Sequence, residues 1–165
     1  MLGVFGRLIL ALGVVSLNML FGSAAQAQSR IDSVRLAAAT NLHTDLREAQ
    51  ASGRVLVVLY ATRSCPWCAR VRAEHLGPMS RSPEDQKRVL IREIDIESDA
   101  QLIDPDGERT THRGYAQSQG IRFVPVTAFP VANKRSAAES IVGFPAADFF
   151  GAYLEQRIAA ARPTK

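Results

Sequence analysis

Residues 55–68 read VLVVLYATRSCPWC, an apolar run that leads within a few positions into two cysteines. The run 55–60 is continuous in β-branched and apolar side chains, which is typical of a strand buried on both faces. The stretch Cys65–Leu76 predicts a helix, because a proline suits its first turn, and Gly77-Pro78 predicts its end. The cysteines are therefore expected at the turn between a buried strand and the start of a helix.

The spacing of Cys65 and Cys68 suits thiol–disulfide exchange. This reaction needs one thiolate to attack a substrate disulfide and a second thiol to resolve the mixed disulfide. Cys65 is the expected nucleophile, because free backbone N–H groups at a helix start favour an anion, and Cys68 is the expected resolving thiol. Pro66 stiffens the loop between the sulfurs. Trp67 offers a flat apolar surface for docking a substrate, or else packs half-buried against the domain.

Charged neighbours bear on the same thiolate. Arg63, Arg70 and Arg72 place positive charge near the cysteines, and Glu74 offsets part of it. Positive charge stabilises a thiolate. The reduced form of the protein, which carries the thiolate, is then stabilised, and the disulfide form becomes a better oxidant.

Other uses of a cysteine pair are less well supported. A disulfide between positions three apart closes almost no loop, so it would stabilise the fold little. Structural zinc needs four ligands, and the single pair could be completed only by residues such as His75 and His112. Covalent haem attachment needs a histidine directly after the second cysteine, where Ala69 stands. No metal or other cofactor is expected, and a metal-carrying or binding module remains the non-enzymatic alternative.

The remaining chain alternates predicted helices and strands. A strand after the cysteine helix would run parallel to the first strand, as in a right-handed βαβ unit. The predicted turn at 104–107 marks the tip of an inserted hairpin. The predicted helices are Thr44–Ser52, Ser82–Arg88, Thr111–Gln119 and Ala146–Ala161, and the further strands are Val89–Ile96, Arg122–Val131 and Ser140–Gly143.

Pro125 interrupts the strand-like run 121–126, where a missing N–H is normally unfavourable. A cis Val124–Pro125 bond would turn the Val124 backbone toward the cysteines. The N–H and C=O of Val124 could then pair with an extended substrate. Val124 and Pro125 are therefore candidate substrate-positioning residues.

The N-terminus reads as a secretory signal. Arg7 is followed by the apolar run Leu8–Phe21 and by Ala25-Gln26-Ala27, an A-x-A cleavage pattern. We expect residues 1–27 to be a signal peptide, with a retained membrane anchor as the alternative. We expect residues 28–41 to be a mobile or loosely helical lead-in, and residues 42–165 to form a single domain.

Charge and composition exclude some classes. The net charge is +4, and no block of five or six like charges suggests nucleic-acid binding. The expected lead-in is too short for the dimerisation module that a disulfide isomerase usually needs, so a monomer is expected.

The chain resembles the thioredoxin superfamily, most closely the SoxW-like periplasmic thioredoxins, over most of residues 42–160. The shared motifs are D-L-x-x-A at 45–49, G-R-V-L-V-V at 53–58, C-P-W-C at 65–68, I-D-I-E at 94–97, D-x-D-G at 104–107, Y-A-x-x-x-G-I-x-x-V-P-V at 115–126 and G-F-P at 143–145. The resemblance implies an α/β fold with a central mixed β-sheet flanked by α-helices, a redox-active Cys65/Cys68 pair and a cis-proline at position 125.

The resemblance also implies a function. We expect a periplasmic dithiol reductase that acts on exported proteins with disulfides or thiols and is recharged by a membrane-embedded electron donor. A disulfide-forming dithiol oxidase is the enzymatic alternative, and a membrane-anchored form facing the periplasm is the alternative location. Two departures from cytosolic thioredoxins stand out, since their buried acid corresponds to Val58 and their neighbouring lysine to Glu93. Glu93 or water would then take the proton of Cys68.

Overall fold

The computed structural model describes residues 34–133, 135–145 and 147–163. The predicted signal peptide, residues 1–27, lies outside the described residues, as do residues 28–33 of the predicted lead-in. Among the helices that are described, none has the length and apolar character needed to cross a membrane.

The helices and strands follow the predicted alternation. The helices are α1 Leu42–Ala51, α2 Pro66–Arg70, a π-helical segment Val71–Leu76, α3 Gly77–Arg81, α4 Pro83–Gln86, α5 His112–Ser118 and α6 Ala147–Ala160. The strands are β1 Val55–Ala61, β2 Val89–Asp95, β3 Gln101–Ile103, β4 Arg109–Thr111, β5 Val126–Ala128, β6 Pro130–Val131, β7 Arg135–Ser136 and β8 Ile141–Val142.

Four strands form the central sheet in the order β2-β1-β5-β8. β1 and β2 are parallel, whereas β5 runs antiparallel to both β1 and β8. Every residue of β1 is buried, as expected for a strand covered on both faces. The mixed sheet with helices packed on it confirms the predicted fold class. Strands β3 and β4 form the predicted hairpin around residues 104–107.

The two faces of β1 pack against different sets of helices. Val57, Leu59 and Ala61 belong to a core cluster with Cys68 and with apolar residues of α6. Leu56, Val58 and Tyr60 belong to a second cluster with residues of α1 and α5. We call the first the cysteine face of the sheet and the second the opposite face.

The predicted end of the cysteine helix at Gly77-Pro78 is wrong. The N–H of Gly77 bonds to the carbonyl of Arg72, five residues back, and the chain stays helical to Arg81. The π turn resets the hydrogen-bond register, so that Pro78 falls at the start of a new α-helical segment. There a missing N–H is not penalised. The helix ends at Ser82, whose side chain caps the next helix as predicted.

Of the predicted mobile or loosely helical lead-in, the helical alternative is wrong for the described residues 34–41, which form isolated β-bridges and no helix. Ala39 donates its N–H to the carbonyl of Glu93 at 2.8 Å, and the N–H of Glu93 bonds to the carbonyl of Ala37 at 2.9 Å. The segment therefore supplies hydrogen-bond partners to the outer edge of β2, an edge that the strands of the sheet leave unpaired.

The predicted strand Arg122–Val131 is shorter in the structure, because regular pairing begins only after Pro125. The proline nitrogen has no hydrogen to contribute to a ladder. The segment 122–125 instead forms a loop beside the sheet.

Candidate active site

The two cysteines lie where the sequence predicts, at the start of α2. Cys65 occupies the N-cap position, and its Sγ accepts the N–H of Cys68 at 3.1 Å. Pro66 follows in the first turn, where its missing N–H leaves no hydrogen bond unmade. The two sulfurs form a disulfide, with Cα atoms 5.2 Å apart.

Burial distinguishes the two sulfurs. Cys65 is partly exposed, whereas Cys68 is fully buried in the core of the cysteine face. An outside nucleophile or substrate can therefore reach Cys65 but not Cys68. Together with the N–H aimed at the Sγ of Cys65, this difference suits Cys65 as the attacking thiol and Cys68 as the resolving thiol.

An aromatic and cationic surface lies next to Cys65. Trp67 is 54% exposed, so both the docking role and the half-buried packing role stay open. Its ring centroid lies 6.1 Å from that of Phe144, in the loop before α6. The guanidinium carbon of Arg70 lies 5.7 Å from the Trp67 ring centroid and 5.0 Å from that of Phe144. The contribution of Phe144 was not predicted, because no local motif tells that this loop packs against the cysteine helix.

The segment around Pro125 joins the same region. The Val124–Pro125 peptide bond is cis. Val124 packs at the edge of the core that contains both cysteines, while Pro125 is buried. The carbonyl of Pro125 accepts the N–H of Gly143 at 2.8 Å, which ties this segment to the loop that carries Phe144.

His75 lies beneath this surface, beside two phenylalanine rings. Its ring centroid is 4.8 Å from that of Phe150 and 5.8 Å from that of Phe144. The buried Nε2 atom has no hydrogen-bond partner. Burial lowers the pKa of His75, the positive charge of Arg70 lowers it further, and Glu74 opposes the shift.

His112, the other histidine considered as a ligand, also has a structural position. Its Nδ1 accepts the backbone N–H of Asp95 at 3.1 Å, and its Nε2 lies 2.6 Å from the carbonyl of Ala39. The ring thus joins β2 to the segment that precedes α1. In the part of the chain that the structure describes, no three His, Cys, Asp or Glu side chains lie close enough together to hold a metal ion.

The arginines near the cysteines do not present free positive charge. Arg70 pairs with Glu74 at 2.8 Å, and Arg63 lies 3.6 Å from Asp95. Arg72 pairs with Glu93 at 2.8 Å. The stabilisation of a Cys65 thiolate therefore depends on the backbone N–H groups of the helix start more than the sequence suggested.

The position assigned to the missing buried acid is also wrong by one residue. Val58 packs on the opposite face of the sheet, away from Cys68. The next residue, Leu59, lies on the cysteine face, and it pairs with Glu93 in the parallel register. Glu93 is held by Arg72, so it is not a free carboxylate waiting for the proton of Cys68.

Comparison with known proteins identifies the family of the chain. A family model described as a thioredoxin-like domain matches residues 42–158. No protein with curated annotation matches the sequence significantly. Among solved structures, a mutant thioredoxin from Halobacterium salinarum is 15% identical, over 79% of this chain and 99% of that one, with a TM-score of 0.45. At that TM-score the structural likeness adds nothing to the fold assignment.

Proposed function

Because this chain belongs to the thioredoxin-like domain family, we propose that it is a thiol–disulfide oxidoreductase working as a dithiol reductase of protein disulfides. The observation that carries the proposal is the cysteine pair itself. A partly exposed Cys65 caps a helix and is already bonded to a fully buried Cys68.

The reaction transfers two electrons to the substrate. The Cys65 thiolate attacks one sulfur of a substrate disulfide, which releases one substrate thiolate and leaves a mixed disulfide. The Cys68 thiol loses its proton and attacks the Cys65 sulfur, which releases the second substrate thiolate. The protein ends as the Cys65–Cys68 disulfide, and a donor must return two electrons and two protons.

The neighbouring charges support the reductase direction over the oxidase. A strong oxidant needs a highly stabilised thiolate, and unpaired arginines near Cys65 would provide one. Arg63, Arg70 and Arg72 each lie beside a carboxylate, which offsets their charge. The Cys65–Cys68 disulfide is therefore expected to be a weaker oxidant than three unpaired arginines would make it.

The same proposal includes location and partners. The signal-like residues 1–27 support a periplasmic location, where the protein would act on exported proteins as a monomer and receive electrons from a membrane-embedded donor. The motifs shared with SoxW-like thioredoxins support this assignment.

The location is tested by N-terminal sequencing of the protein recovered from fractionated cells. A chain that begins at Gln28 in the soluble periplasmic fraction is the expected result. An intact Met1 in the membrane pellet would replace the cleaved signal with a retained anchor.

The direction of electron flow is tested by acid quenching of living cells followed by thiol labelling. We expect Cys65 and Cys68 to be mostly reduced, and to become oxidised when the membrane donor is deleted. A Cys65→Ser/Cys68→Ser variant gives the unlabelled reference. A pair that is mostly oxidised while the donor is intact would assign the protein to disulfide formation instead.

A further inference from the structure

Arg72 and Glu93 form an ion pair between the cysteine helix and strand β2. Arg72 follows Cys68 by four positions, so both side chains leave the same side of the helix. The residue is only 5% exposed. Its guanidinium meets the Glu93 carboxylate in a two-pronged arrangement, with Nε and Nη2 each 2.8 Å from a separate carboxylate oxygen.

The same guanidinium also holds the chain that leads to Cys65. Its Nη2 donates to the carbonyl of Thr62 at 3.2 Å, and Thr62 is the first residue after β1. Arg72 therefore joins three parts of the site: the cysteine helix, strand β2 and the loop 62–64.

We propose that Arg72 and Glu93 are positioning residues that set the reactivity of the Cys65/Cys68 pair, through mutual neutralisation beneath the cysteines and through the bond to the Thr62 carbonyl. This inference rests on the proposed thiol–disulfide exchange. Neither side chain touches the substrate in this account; each acts through the charge that it offsets on the other.

Stability alone gives a weak reason for such a pair. Desolvation of two charges offsets most of their attraction, and apolar residues of similar volume often serve a core equally well. The removal of one partner is different, because it leaves the other charge uncompensated on the cysteine face, beside the loop that leads to Cys65. The pair thus offers a means of changing the local charge by one unit in either direction.

Glu93 keeps some contact with solvent, since its side chain is 15% exposed. Glu93 lines an open cleft of about 180 Å³. The other charged or titratable residues that line this cleft are Arg35, Arg63, Asp95 and His112. Arg63 and Asp95 lie 3.6 Å apart and offset each other, whereas Arg70 and Glu74 are paired on the outer side of the helix.

The two single substitutions are expected to act in opposite directions. In Arg72→Met the Glu93 carboxylate disfavours the Cys65 thiolate, so the pH midpoint of Cys65 alkylation rises by about one pH unit. In Glu93→Gln the unpaired guanidinium favours the thiolate, so the midpoint falls by about the same amount. The exchange equilibrium with glutathione shifts accordingly, by up to about tenfold toward the disulfide in Arg72→Met and toward the dithiol in Glu93→Gln.

The test measures alkylation rate against pH for the reduced protein, with mass spectrometry to separate Cys65 from Cys68. The matched controls are Arg92→Met and Asp45→Asn, which break a similar two-pronged pair on the opposite face. Arg72→Lys keeps the charge and is expected to keep the midpoint, even where folding stability drops. The Arg72→Met/Glu93→Gln double variant is expected to return close to wild type.

Opposite shifts in the two single variants, with unshifted controls, support the proposal. Shifts of the same sign, or none, in variants that still give a cooperative thermal unfolding transition would overturn it. The failure of the proposed function is a separate outcome, since wild-type protein would then show no exchange with glutathione at all.

Discussion

Two arginine–carboxylate pairs lie on opposite faces of the central sheet, and neighbouring residues of β2 contribute one partner to each. Glu93 points to the cysteine face and binds Arg72 of the cysteine helix. Arg92 points to the opposite face and binds Asp45 of α1, at 2.6 and 2.9 Å. The two pairs have the same chemistry, although the side chain of Arg92 is more exposed than that of Arg72, and they differ in what lies beside them.

Arg72 follows Cys68 by four positions and bonds to the loop that leads to Cys65, where an uncompensated charge can alter thiol chemistry. Beside Arg92 and Asp45 lies an apolar core that holds the stacked rings of Tyr60 and Tyr115, with centroids 6.3 Å apart. The effect of breaking a buried ion pair therefore depends on the groups that surround it. The Arg72–Glu93 pair lies on the face where thiol chemistry is proposed, whereas the Arg92–Asp45 pair joins α1 to the sheet.

The largest expected effect is the loss of exchange when a sulfur on the cysteine face is removed. Cys65→Ser should reduce the disulfide-reducing rate to that of buffer, because no thiolate remains to attack. Cys68→Ser should accumulate mixed disulfides, because nothing resolves them. Nonreducing electrophoresis with a disulfide-bonded protein substrate distinguishes the two. Exchange at the normal rate in Cys65→Ser would show that Cys65 is not the attacking thiol and that the cysteine face is not the site of the reaction.

The next effect compares the cores of the two faces. Phe150→Ala should lower the free energy of unfolding by about 3–5 kcal/mol, because the ring is fully buried against His75 and Phe144. Leu46→Ala on the opposite face should cost about 2–5 kcal/mol. Urea unfolding measures both. Only Phe150→Ala is expected to slow turnover of protein substrates per folded molecule, and equal slowing in Leu46→Ala would contradict the separation of the faces.

Alkaline pH should lower the stability of the protein through two tyrosines on the opposite face. Burial raises the pKa of Tyr60 well above its usual value and that of Tyr115 to about 12. Because the phenols lose their protons near pH 10 in the unfolded chain and only at higher pH in the folded protein, the free energy of unfolding is unaffected below about pH 10. It falls as the pH rises above that value. The slope reaches about 1.4 kcal/mol per pH unit for each phenol. Urea unfolding at pH 9.5 and 11.5 should show a smaller loss in Tyr115→Phe, and an unchanged loss would refute the assignment.

The smallest effect concerns acid pH on the cysteine face. The pKa of His75 is lowered, chiefly by burial, so the unfolded chain binds a proton more readily than the folded one. Stability should therefore fall as the pH drops through and below about 6.5. His75→Phe keeps an aromatic ring against Phe144 and Phe150 and should flatten that fall. Thermal unfolding at pH 7 and pH 5 measures it, and a parallel fall in the variant would exclude His75 as the cause.

Local patterns in the sequence predict the parts of the site that lie close together along the chain. The continuous apolar run at 55–60 predicts β1, and Pro66 after Cys65 predicts the helix start at the cysteines, because both signals depend on nearest neighbours. The β3–β4 hairpin follows from its turn residues in the same way.

Long-range contacts account for what the sequence could not predict. The Arg72–Glu93 pair spans 21 positions, so an arginine counted as free charge is in fact neutralised. The π turn that carries the helix past Pro78 leaves no local signal. The residues around Phe144 likewise give no local signal that its ring packs against Trp67 and Arg70.

The most direct test of the central claim mixes fully reduced protein with a disulfide-bonded protein substrate and follows both by mass spectrometry after acid quenching. We expect each substrate disulfide that is reduced to be matched by one Cys65–Cys68 disulfide formed, through a mixed disulfide at Cys65 alone. Substrate that stays oxidised while Cys65 and Cys68 stay reduced, or a mixed disulfide found at Cys68, would contradict it.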